Sequence, residues 1–213
     1  MITVHTIIGS PYGRAALIGC LEKGLAYRVA PVRPGEHKGP AYLAMHPFGR
    51  IPVIEDDGFV LYETQAILRY LDAVGSGPSL VPADAKAAAR MNQAIGIIDW
   101  YFFSQTGAVP LVFNRLVAPK IGAPVNDAAA VAAIPATRHV VGVLGAFVAQ
   151  HPFFGGDAFS LADIHVGAHL DMLSEIPEAT DILAGSPLLP WLERVRARPS
   201  FAATTWDELA KAA

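Results

Sequence analysis

Three short stretches put hydroxyl, acidic and basic side chains where a helix or strand begins. In residues 7–14, I-I-G-S-P-Y-G-R, Ser10 stands at a strand-to-helix junction. Serine followed by proline is a good helix start by itself. Serine is a favoured cap, and proline at the first helical position gives up no hydrogen bond that the helix needs. Capping is the commoner role for such a serine. A helix N-terminus also presents free N–H groups and partial positive charge, so it attracts anions, and a hydroxyl there can donate to a thiolate. An ordinary thiol titrates near ~8.5, and such a site lowers that value by about a unit or more. Each unit is worth about 1.4 kcal/mol of preference for the thiolate. Ser10 can therefore activate an external thiol without forming a covalent bond.

The second junction is L-Y-E-T, residues 61–64, where Thr64 is the expected cap. A carboxylate can accept from the Thr64 N–H and hydroxyl while Glu63 pairs with an ammonium, which suits an amino-acid head group. A cap beside a surface acid is the alternative. Between the two junctions runs H-P-F-G-R-I-P-V-I-E-D-D-G, with Pro52 at a strand start, a place proline takes only for a special reason. A cis bond between Ile51 and Pro52 would turn the Ile51 N–H and C=O outward to pair with a peptide-like ligand as an added short strand. His37-Lys38, in the connection P-G-E-H-K-G-P, is either a solvated loop dipeptide or a binding pair for a second carboxylate. Used together, these positions would hold a zwitterion, two amides, a thiol and a terminal carboxylate.

The elements that must position them fall into two regions. Residues 1–74 alternate strands and helices: strand 2–8, helix 15–23, strand 27–32, a hairpin from strands 51–55 and 59–62 about Asp56-Asp57-Gly58, then helix 64–74 with Ile67, Leu68 and Leu71 inward. The G-S-G-P-S-L-V-P-A-D stretch of residues 75–84 is linker-like. Beyond it, helices are expected over 83–98, 100–117, 128–150, 161–173 and 188–198, interrupted near Pro110, residues 119–124 and Pro177. The fold class is thus α/β followed by all-α: a first domain over 1–76, a linker at 77–83 and a helical domain over 84–213.

Composition narrows the function classes. The 213 residues are 53% apolar and 16% charged, with a net charge of −3. No dense Lys/Arg cluster suggests nucleic acid, and no run of 18 uninterrupted apolar residues suggests a membrane span. The start M-I-T-V-H-T lacks the pattern of a secretory signal. A single cysteine, Cys20, excludes an internal disulfide and fits a reducing cytoplasm. Cys20 faces the apolar stripe of its helix and reads as a small buried hydrophobe. Ser160 and Asp163 have capping-box spacing, with Phe159 as a staple. His165 and His169 are an i,i+4 pair with no third metal ligand in view. The run Trp100, Tyr101, Phe102, Phe103 is too continuous for one helix face, so part belongs to a core and part to an apolar cleft.

Over nearly its full length the chain resembles the cytosolic glutathione S-transferase superfamily, in G-S-P-Y-G-R, G-E-H-K, H-P-F-G-R-I-P-V-I-E-D-D-G and L-Y-E-T-Q-A-I-L-R-Y-L. It is most similar to the serine-type phi class, on E-H-K and F-N-R-L-V-A-P-K-I-G. The resemblance implies a thioredoxin-like first domain, a helical second domain with a hydrophobic co-substrate cleft, and a homodimer in the cytoplasm. Glutathione is implied as co-substrate, with no tightly bound cofactor and no metal. Ser10 resembles the hydroxyl that stabilises the thiolate. His37 and Lys38 resemble the contacts to the glycyl carboxylate, and Ile51 the backbone pairing before Pro52. Glu63 and Thr64 resemble the acidic–Ser pair at the γ-glutamyl end. Two positions depart from the pattern: Thr64 replaces Ser, and Arg50 replaces a ligand-facing Gln, which suits an anionic co-substrate. Tyr12 adds a second hydroxyl two residues after Ser10, either a competitor for the activating role or a co-substrate contact; Ser10 is preferred because it stands at the expected helix boundary. The implied activity is attack of the thiolate on small apolar electrophiles, a detoxification chemistry. Isomerisation, dehalogenation, peroxide reduction by the same thiolate, or ligand binding without turnover are the alternatives.

Overall fold

The computed structural model describes residues 1–212 as two compact units, one formed by residues 1–80 with 197–212 and the other by residues 81–196. In the first, β1 (Ile2–Thr6), α1 (Pro11–Glu22) and β2 (Tyr27–Pro31) form a βαβ unit. A helical turn at Glu36–Lys38 and the short α2 (Pro40–Leu43) lead to β3 (Val53–Asp56), β4 (Phe59–Tyr62) and α3 (Thr64–Val74). The sheet order is β2-β1-β3-β4; β1 and β2 are parallel, and the other pairs are antiparallel. This is the thioredoxin-like arrangement.

The two-residue period of the strands divides the core. Ile2, Val4 and Ile54 point to the face covered by α1 and α3, where Leu17, Cys20, Ile67 and Leu71 meet them. Val53 points to the other face and packs with Val32 and Tyr42. The hairpin register pairs Val53 with Tyr62 and Asp56 with Phe59, leaving Asp57-Gly58 as its two-residue turn. Each strand begins or ends within two residues of its expected boundary.

The helical unit begins with α4 (Ala85–Ile97), capped by the Asp84 carboxylate, which accepts from the Ala87 N–H at 2.9 Å. The helix expected over 100–117, with an interruption near Pro110, is broken at residues 103–108, just before that proline. The chain makes a wide turn over Ile98–Phe102, breaks, and resumes as α5 (Val109–Val112), a second wide turn over Phe113–Val117 and α6 (Ala118–Ile121). Pro110 and Pro119 lie in the first turns of α5 and α6, where a missing N–H is tolerated. Then follow α7 (Asp127–Phe147), α8 (Leu161–Leu173), α9 (Ala179–Leu183) and α10 (Leu188–Arg196).

By length and composition α7 alone among the described helices is apolar enough to cross a bilayer, but its Ala130, Ala133, Val140, Val141 and Leu144 form a buried stripe within this unit. Helix α8 is buried at every residue and packs against α4 and α10. Its Asp163 carboxylate accepts from the Ser160 N–H and hydroxyl, the Phe154 N–H and the Trp191 indole N–H, all within 3.0 Å. Burial pushes this carboxyl above the ordinary carboxylate range, and the four donors pull against it.

The last stretch of chain departs from the sequence expectation. Residues 197–212, expected in the helical region and carrying α11 (Pro199–Ala202) and α12 (Trp206–Ala212), belong to the first compact unit. Leu209 joins the core of Ile2, Val4 and Leu17. Charged anchors hold the segment: the Arg198 guanidinium grips both Glu22 oxygens, at 2.8 and 2.5 Å, and the Ser200 hydroxyl donates to the same carboxylate.

Candidate glutathione site

The sheet topology gathers the candidate residues at one edge. β1 and β4 end there, and β3, antiparallel to both, begins there. Ser10 follows β1, Ile51-Pro52 precedes β3, and Glu63-Thr64 follows β4. The segment carrying His37, Lys38 and Arg50 leaves β2, parallel to β1, from the same edge. Helices α1 and α3 share one face of the sheet and both start at this edge, so two helix N-termini are presented together.

Ser10 caps α1. Its Oγ accepts from the Gly13 N–H at 3.2 Å, with extended backbone (φ −74°, ψ 123°) and Pro11 at the first helical position. The bond occupies a lone pair of the oxygen and leaves the hydroxyl proton available to a further acceptor. The capping and thiol-binding readings are therefore compatible. Tyr12 sits half-buried in the first turn of α1.

At the second junction the structure corrects the expectation. Thr64 is not the cap: it is the buried first residue of α3, and Glu63 occupies the cap position. Glu63 adopts φ 70° and ψ 113°, a conformation rare for a residue with a Cβ, and its side chain makes no capping bond. The strand must turn sharply into the helix, and the positive φ makes that turn while leaving the carboxylate exposed at the edge. The start of α3 is therefore left without a side-chain capping bond from Glu63.

The Ile51–Pro52 peptide bond is cis, Pro52 is buried, and Ile51 lies just outside the strand ladder. The Lys38 ammonium donates to the Gly49 carbonyl at 2.5 Å, keeping two further donors. His37 is half-buried; partial burial and then the adjacent Lys38 charge hold its pKa below the ordinary histidine value. Arg50 is exposed.

One residue had no assigned role in the sequence. His46, first of the H-P-F-G-R motif, is 2% exposed and stacks on Tyr62 with ring centroids 4.5 Å apart. Its Nδ1 has no hydrogen-bond partner. Burial lowers its pKa; the Glu63 charge opposes that, and the Arg50 and Lys38 charges add to it. His46 thus links the edge loop to β4 and feels three of the candidate groups at once. Its position in a proline motif was the only available signal.

The remaining candidates are structural. Cys20 is buried and its thiol is pushed up to about 12, first by burial, so it is no nucleophile. The His165 Nε2–H donates to Asp99 at 2.8 Å, and the His169 Nδ1–H donates to the His165 carbonyl at 2.8 Å. Of the aromatic run, Phe102 is buried, Phe103 packs edge-on to His169, and Trp100 and Tyr101 are exposed.

Comparison with known proteins identifies the lineage of this arrangement. The family model described as glutathione S-transferase, N-terminal domain, matches residues 9–74, and that of the glutathione S-transferase C-terminal domain matches residues 107–199. Glutathione S-transferase 3 of Zea mays is 34% identical over 188 residues, covering 86% of this chain and 83% of the relative. The chain belongs to the glutathione S-transferase family. Glutathione transferase F7 of Populus trichocarpa is similar in structure, at TM-score 0.83 and 27% identity over 96% of this chain and 97% of that one. So is a theta-class glutathione S-transferase of Xanthomonas axonopodis pv. citri solved with glutathione bound, at TM-score 0.84 and 27% identity over 96% of each chain. Among the relatives of this glutathione S-transferase are the plant phi-class enzymes, at 26–34% identity.

Proposed function

We propose that this member of the family is a glutathione transferase that holds the tripeptide along the edge just described, with its sulfur at the tip of α1. The observation that carries the reading is the state of Ser10: its oxygen already accepts the capping N–H, so its proton is free to donate to a thiolate beside a helix N-terminus. The start of α3, without a side-chain cap, takes the γ-glutamyl carboxylate through Thr64, and the exposed Glu63 carboxylate takes its ammonium. Ile51 pairs with the ligand backbone ahead of Pro52. His37 and Lys38 bind the glycyl carboxylate, and Arg50 adds positive charge nearby. Tyr12 faces the electrophile.

Catalysis then consists of raising the thiolate fraction at neutral pH and aiming it. The thiolate attacks an electrophilic carbon, the carbon–leaving-group bond breaks, and the leaving group departs with its electron pair; the thiol proton has already gone to solvent. A cytoplasmic homodimer acting on small apolar electrophiles accords with this chemistry. Calorimetry with glutathione, joined to a conjugation assay with a generic aryl halide across pH, tests it. Binding heat is expected, together with a kcat/KM profile whose ionisation lies about one unit or more below that of a free thiol. A profile that follows the free thiol would overturn thiolate stabilisation, and binding without turnover would make the protein a carrier.

A further inference from the structure

The turn that delivers Ser10 has an unusual support. Residues 7–10 close by a bond from the Ser10 N–H to the Ile7 carbonyl at 3.0 Å, with Gly9 third in the turn at φ 90°. A glycine there is free to take many backbone angles, and nothing in its own chemistry fixes the direction of the next residue. What covers it is the six-membered ring of Trp206: a Cβ built on Gly9 would stand 2.4 Å from Trp206 Cζ3, 2.5 Å from Cε3 and 2.6 Å from Cη2. The ring lies flat where a side chain would otherwise be.

Trp206 is held firmly enough to act as a wall. It opens α12, whose Leu209 is buried in the sheet core, and the Leu209 N–H donates to the Thr205 carbonyl at 3.0 Å. One helical turn beyond Ser10, buried Arg14 donates to the Phe201 carbonyl at 3.1 Å and to the Thr204 hydroxyl at 3.3 Å. At the far end of α1, Glu22 is gripped by Arg198 and Ser200. The C-terminal segment therefore runs along α1 from its last turn to the loop before its first, and Trp206 is the end that meets the functional turn.

We infer that Trp206 is a positioning residue for the reaction: by covering Gly9 it fixes the turn that aims the Ser10 hydroxyl at the bound thiol. This deepens the proposed function and rests on Ser10 serving the thiolate. The test measures thiolate absorbance of bound glutathione against pH, with kcat and KM, in the full chain carrying Ser10→Ala, Trp206→Ala, Trp206→Phe, Trp206→Leu and Ser10→Ala/Trp206→Ala. Trp206→Ala should raise the thiol pKa by about half a unit or more and lower kcat at pH 7 about threefold to tenfold, with glutathione KM changed less than about twofold. Trp206→Phe, which keeps a flat ring, should stay near wild type; Trp206→Leu should behave like alanine and replaces it if the alanine protein does not fold.

The double variant is decisive. If Trp206 acts through Ser10, removing it from the Ser10→Ala protein adds no further pKa shift. A folded Trp206→Ala or Trp206→Leu protein with unchanged thiol pKa and kcat overturns the inference, as does a full additional shift in the double variant. Failure of the underlying reading looks different: Ser10→Ala alone would then leave the thiol pKa where it was.

Discussion

Replacing Ser10 by alanine and, in a separate protein, by glycine divides the two jobs of one oxygen. In the structure Oγ accepts from the Gly13 N–H at 3.2 Å, which is a capping bond, and its proton remains for the ligand sulfur. Losing a serine cap to alanine costs about 1 kcal/mol, whereas glycine in that place costs only a few tenths. The donor to sulfur disappears in both. A hydrogen bond to a charged group contributes about 1.5–3 kcal/mol. At 1.36 kcal/mol per unit, that is about one to two units in the pKa of the bound thiol. Urea denaturation should therefore show Ser10→Ala less stable than Ser10→Gly by roughly 0.5–1 kcal/mol. Thiolate absorbance and single-turnover conjugation should show both displaced alike, with a rate at pH 7 lower by about tenfold or more. Equal stability of the two variants would remove the capping role. An unshifted thiol in both, with glutathione still bound, would refute the reasoning on the sulfur.

Three other expectations concern the surroundings. Glu63→Gly relieves a positive-φ strain of about 1–3 kcal/mol against about 0.5–1 kcal/mol of glycine chain entropy, so the melting temperature should rise while KM for glutathione increases; a lower melting temperature would show that φ 70° carries no strain. Asp163→Ala strands four buried donors, and at about 1–3 kcal/mol each the loss rivals the whole stability of a domain; a measured destabilisation below about 2 kcal/mol would show that water or repacking satisfies them. Burial, first of all, lowers the His169 pKa from 6.5 to about 3, so the unfolded chain takes up a proton before the folded one does. Its contribution to stability is complete above pH 6.5 and falls away between there and about 3, by up to about 1.4 kcal/mol per unit. His169→Gln should flatten that acid limb in denaturation experiments, and an equally steep limb would place the titration elsewhere.

Much of the protein was legible in the chain because its signals are local. The Ser10-Pro11 start, the Asp57-Gly58 turn and the Ser160–Asp163 pair each need only a few consecutive residues, and each sits where its own chemistry puts it. The alternation that sends Val53 and Ile54 to opposite faces is likewise a property of any strand. Proline positions marked interruptions in the helical half, though they did not reveal the wide turns at Ile98–Phe102 and Phe113–Val117, where the ladder lengthens instead of ending.

What the fold alone decided depends on partners distant in sequence. Thr64 reads as a cap until β4 is packed, and then the turn into α3 falls on Glu63. His46 gains its place only when Tyr62 arrives beside it, and Asp163 its fourth donor only from Trp191, 28 residues on. The return of the C-terminal segment to α1 has no local signature. An Arg14 among apolar residues and a glycine before a serine look unremarkable until the Phe201 carbonyl and the Trp206 ring close over them. Backbone propensity chooses the elements, but which groups lose water, and against whom, is fixed only when those elements pack.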